Sequence, residues 1–98
     1  MDENKNTEIK GKILEIMSLA LEINPPEIRS IGMKKTAVFV EYSPHCSLIR
    51  VNIHYGGWTP MSDSDKSFEV NGYDDSASIQ LDEVIEYLTA IKEAESDV

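Results

Sequence analysis

Ninety-eight residues, 41% of them hydrophobic and 28% charged, are expected to form one domain, 1–98, with a modest core and no room for a deep, walled-off active site. The formal net charge is −9 and it is unevenly placed: residues 1–62 hold seven acids and seven bases, whereas residues 63–98 hold eleven acids against Lys66 and Lys92. Such an excess opposes nucleic-acid phosphates and anionic membrane surfaces and favours encounter with a basic protein.

In chain order, a first helix is expected from Thr7, as N-cap, to Asn24. Ile9, Ile13, Ile16, Met17, Ala20 and Leu21 recur at helical spacing and form its apolar face. Leu14, Leu19 and Ile23 widen that stripe enough to serve a second neighbour or a partner. Pro25 and Pro26 end the helix, because proline lacks an N–H and disfavours helical geometry before it. One further turn from Pro26 to Gly32 is expected.

Lys35 to Tyr42 predicts a strand rich in β-branched and aromatic residues. Apolar side chains fall on both of its faces, which predicts a central place in the sheet. After a turn at Ser43-Pro44-His45-Cys46, the stretch from Ser47 to Tyr55 alternates. Ile49, Val51, Ile53 and Tyr55 share one face, and Leu48, Arg50, Asn52 and His54 the other, as in a half-buried antiparallel strand. A glycine-containing loop follows from Gly56 to Asp65, then a short strand from Lys66 to Asn71. The second helix is expected to start between Asp75 and Ser78, to bury Leu81, Val84, Ile85, Leu88 and Ile91, and to fade near Ala94. The order α-β-β-β-α predicts an α+β fold, a three-stranded antiparallel sheet packed against two helices.

Three groups of residues bear on function. Asp82, Glu86, Glu93 and Asp97 lie on one stripe of the second helix with Glu83 beside it, and Asp74 and Asp75 precede the helix, where negative charge suits its dipole. A carboxylate row of this kind could imitate a phosphate backbone; the alternative is a solvated face made acidic for solubility. Trp58, raised on the Tyr55–Pro60 loop, is either an interface anchor or a cap on the core. Lys34, Lys35 and Arg50 could form a small basic spot.

Other chemistry fits poorly. His45 and Cys46 are adjacent and lack further ligands at zinc spacing. Asp63-Ser64-Asp65 opens like a calcium loop, but Phe68 occupies the position that needs glycine. Cys46 would need His54 within hydrogen-bond reach to act as a nucleophile. No enzyme activity, cofactor or metal is therefore expected. A single cysteine, a polar N-terminus and no run of ~20 apolar residues predict a cytoplasmic protein.

The element order resembles that of the double-stranded-RNA-binding domain. That family grips phosphates with lysines at the start of its last helix, whereas Asp74-Asp75-Ser76 stands here, which argues against RNA binding. In general type the chain is similar to small acidic accessory proteins of phages and mobile elements, including some anti-CRISPR proteins and nuclease inhibitors. These features together predict a non-enzymatic module that binds a basic protein surface through Asp74, Asp75, Asp82, Glu83, Glu86 and Glu93, with Trp58 as an anchor. A homodimer or structural subunit assembling through Leu14, Leu19 and Ile23 is the alternative expectation.

Overall fold

The computed structural model describes residues 3–25, 36–56 and 63–96. Two helices and three strands follow in the order α1 (Glu3–Ile23), β1 (Ala37–Ser43), β2 (Leu48–His54), β3 (Lys66–Asn71) and α2 (Ala77–Ser96). This is the α-β-β-β-α arrangement that the periodicities predict. The strands form one antiparallel sheet in the order β1-β2-β3.

The alternation in β2 decides which way the sheet faces. Ile49, Val51 and Ile53 are buried and join Ile16, Leu81, Val84 and Leu88 in the core, so both helices pack on that face. Register carries the pattern to the neighbouring strands. Val40 stands opposite Val51 on β1, and Phe68 stands opposite Val51 on β3. Full burial of side chains of this size contributes about 1.5–3 kcal/mol each relative to exposure. The opposite face of the sheet is more polar. There Arg50 lies between Glu69, at 2.9 Å, and Glu41, at 3.7 Å, while the Ser67 hydroxyl bonds Asn52.

Several expectations need correction. β1 is an edge strand, not a central one, because β2 lies between it and β3. Its apolar second face is explained by Phe39, which is 43% exposed and meets the buried His54 ring edge-on, with centroids 5.5 Å apart. Helix α1 starts at Glu3, so Thr7 is an interior residue and not the cap. The division of the α1 stripe also differs. Leu19 and Ile23 are core residues at 8% and 3% exposure, whereas Met17 and Leu21 stand at 40% and 49%. Of the three residues assigned to an assembly interface, Leu14 alone is exposed. The expected turn at Pro26–Gly32 lies outside the described residues, as do Lys34, Lys35 and Trp58.

Two local devices hold the strands in place. The Asn24 carboxamide, just beyond α1, accepts from the Val38 N–H at 2.7 Å and donates to the Thr36 carbonyl at 2.9 Å. It occupies the outer side of β1 as a peptide group of another strand would, satisfying one donor and one acceptor. At the other end of the sheet, Ser47 closes the β1–β2 turn at a φ of 49°. Its carbonyl accepts from the Gly72 N–H at 2.8 Å. A Cβ on the buried Gly72 would stand 3.3 Å from that carbonyl oxygen, so the close approach favours glycine.

Candidate functional site

The start of α2 is set by short polar side chains. The Gln80 N–H bonds the Ser76 carbonyl, which makes Ser76 the N-cap. Asp74 folds the preceding turn: its carboxylate accepts from the Ser76 N–H at 2.9 Å and the Ser76 hydroxyl at 2.8 Å. Those bonds, the backbone one first, hold the Asp74 carboxyl below its ordinary value of 3.8. Asp74 therefore has a structural task at the helix start.

From there the sequence turns α2 so that Leu81, Val84, Leu88 and Ile91 are buried. Asp82, Glu83, Glu86 and Glu93 are consequently exposed on the far side. Steps of three and seven residues separate Glu83, Glu86 and Glu93 by ~4.5 and ~10 Å along the axis. Ile79, 66% exposed, heads the same ridge. Sequence reasoning passed over it, although it lies four residues before Glu83 and seven before Glu86 and so had to share their face.

Cations reach only part of this surface. Lys12 of α1 crosses to Asp82 at 2.9 Å, and it also donates to the Ser78 hydroxyl and carbonyl. Its hydrogen bond to Asp82 is the main reason that the ammonium pKa is raised above 10.5, with Glu8 adding a smaller attraction. Lys5 stands 3.6 Å from Asp75. The two lysines of the acidic half are both directed elsewhere. Lys92 pairs with Glu22 of α1 at 2.9 Å, and Lys66 lies over the Phe68 and Tyr87 rings. Among the described residues, Glu83 and Glu86 make no ion pair. Of the six carboxylates, Asp74, Asp75 and Asp82 thus have the partners named above, Glu83 and Glu86 make no ion pair among the described residues, and Glu93 is exposed along the same ridge.

Comparison with known proteins finds no matching family model, and no curated protein or solved structure with significant similarity. The site's meaning rests on its own chemistry.

Cys46 and His54 lie far apart. Cys46 lies in the β1–β2 turn, its Sγ 3.9 Å from the Ser43 carbonyl oxygen. His54 ends β2 and pairs with Ala37. At ~3.3 Å per residue the length of β2 separates the two by roughly 20 Å, beyond any direct proton transfer. Among the described residues no cluster of three or more His, Cys, Asp or Glu side chains could hold a metal ion. Asp65 instead closes a loop, accepting from the Tyr55 N–H at 2.8 Å. No helix among the described residues is long and apolar enough to cross a membrane.

A second surface was only partly foreseen. Along the outward side of α1, Leu14, Met17 and Leu21 are exposed, and beside Leu14 a wedge of about 560 Å³ opens between α1 and the tip of the sheet. Ile13, Tyr42 and Tyr73 line it, with Lys10 as its one charged lining residue among those described. The breadth of the α1 stripe signalled surplus apolar surface. It did not reveal which edge of the stripe would stay outside.

Proposed function

We propose that this chain is a non-enzymatic, acidic protein-binding module whose α2 ridge docks on a basic protein surface. In its sharpest form the proposal makes the chain an inhibitor, like accessory proteins of phages and mobile elements, that occupies a surface where the partner would hold nucleic acid. The supporting observation is that Glu83 and Glu86 share an exposed ridge and make no ion pair among the described residues, while both lysines of residues 63–98 are turned to other contacts. Carboxylates so placed retain their field, attract Arg and Lys, and displace an anionic ligand by competition. The solubility explanation would hold equally for scattered acids; grouping on one ridge favours recognition.

The test is capture of partners from source-cell extract, followed by affinity measurement with the captured protein. Reversing two exposed charges, in Glu83→Lys with Glu86→Lys, should weaken binding about tenfold, since each such charge contributes on the order of 0.5–1 kcal/mol. Raising salt from ~50 to ~500 mM should weaken the wild-type complex as well. Affinity indifferent to both changes would reject the acidic ridge as the contact.

A further inference from the structure

We propose that a second copy of this chain seats on the outward ridge of α1, with the two α1 helices antiparallel about a two-fold axis near Met17. This is independent of the reading of α2, and the two can fail separately.

A helix with its side chains is ~10 Å across, whereas strands lie ~4.8 Å apart. Two helices therefore span roughly 20 Å above three strands that span about 10–15 Å. Helix α1 packs on α2 and β1, and α2 packs on β3. The outward side of α1 thus projects past β1, with no helix or strand of the described residues beneath it. That overhang carries Leu14 at 60%, Met17 at 40% and Leu21 at 49% exposure, continued by Tyr42 at 50% and Tyr73 at 67%. Together they offer on the order of 500 Å² per copy, so two copies reach the ~1,000 Å² that distinguishes a specific interface from a chance contact.

Charge selects the occupant. Two molecules of net charge −9 repel one another, but the whole excess belongs to residues 63–98, while residues 1–62 sum to zero. Helix α1 holds four acids against three bases and β1 one acid, so this surface is close to neutral, and of its named residues only Tyr73 comes from the acidic part. A basic partner gains nothing from the apolar overhang and would be drawn to α2 instead. A second copy gains more. The last turn of α1 contains no basic residue, and Lys92 of α2 meets Glu22 there from one side, so a further cation brought to this end is favoured by the helix dipole. Antiparallel pairing about Met17 carries Lys10 of one copy to that end of the other, twice by symmetry. The contact is self-complementary, as a two-fold interface must be.

The same geometry argues against strand addition at β1. Bringing two β1 strands to pairing distance would force the two overhanging α1 helices to within ~5 Å of each other, less than a helix diameter. Helix against helix is the arrangement that the overhang permits.

Sedimentation velocity on the full chain between ~10 and ~500 µM tests the proposal, in the range where an interface of this size should associate. The expected result is a concentration-dependent shift from 11.0 kDa to twice that mass. Leu14→Glu and, separately, Met17→Glu should each return the species to monomer with an unchanged circular dichroism spectrum. Lys10→Ala should weaken association several-fold, and Glu83→Lys should leave it intact. Because the two glutamate variants act on different turns, one that fails to fold leaves the other decisive. A monomer throughout the range, open-ended oligomers, or a dimer insensitive to the folded glutamate variant would overturn the proposal.

Discussion

Helices α1 and α2 are nearly equal in length, 21 and 20 residues, yet they handle their outward sides in opposite ways. Helix α2 buries Leu81, Val84, Leu88 and Ile91 and turns Asp82, Glu83, Glu86 and Glu93 to solvent. Helix α1 buries Ile9, Ile16, Leu19 and Ile23 but keeps Leu14, Met17 and Leu21 outside. One helix ends its apolar surface where the core ends; the other continues it beyond. The difference teaches that amphipathicity alone sets only the inward face. What a helix is for is written on the other side, and here the two are written in different chemistry.

The largest effect expected from this comparison is on stability. Leu88→Ala on α2 should cost about 2–5 kcal/mol by urea unfolding, because Leu88 is fully buried and a cavity would remain. Leu21→Ala on α1, measured in dilute solution, should stay within ~0.5 kcal/mol, as exposed positions usually do. Equal losses at the two sites would erase the distinction between them.

The next effect lies where α1 hands over to the sheet. Asn24→Ala leaves the Val38 N–H and the Thr36 carbonyl without that partner, at a cost of about 1–3 kcal/mol. Hydrogen exchange should locate the loss at Val38, and an unchanged exchange rate there would show that the clamp carries no strain of the fold.

A smaller effect sharpens the comparison at the start of α2. The Asp74 carboxyl is held below 3.8 in the folded chain, so its contribution is complete above that value and disappears as pH falls through the lower, folded one. Asp74→Ala should therefore melt earlier than wild type at neutral pH, and the gap should close only in strong acid. A gap that is constant from pH ~7 to ~2 would mean that the ionised Asp74 carboxylate is not what holds the turn before α2.

The local signals in the sequence carried most of the fold. Alternation from Leu48 to His54 identified the inward face of β2, and β3 has the expected bounds of Lys66 and Asn71. What was not legible depended on non-local choices. The α1 stripe is wide enough to rotate either way, and the rotation is fixed by contacts far along the chain, such as Lys12 with Asp82 and Ser78. The first turn of α1 is polar and so has no apolar period to reveal it. Phe39 made β1 resemble a central strand because a ring that covers His54 on an open sheet face has the same local pattern as one inside a core. For the candidate site, spacing gave the acidic side of α2, but not that Asp75 and Asp82 meet lysines of α1.

The Asn24 clamp has a chemical consequence as well as a mechanical one. Asparagine side chains age by cyclising onto the nitrogen of the following residue, and an aspartate at position 24 would set a negative oxygen against the Thr36 carbonyl and loosen the first strand. The following residue is Pro25, whose nitrogen has no hydrogen to lose. The fastening between helix and sheet is thereby shielded from the slow hydrolysis that would undo it.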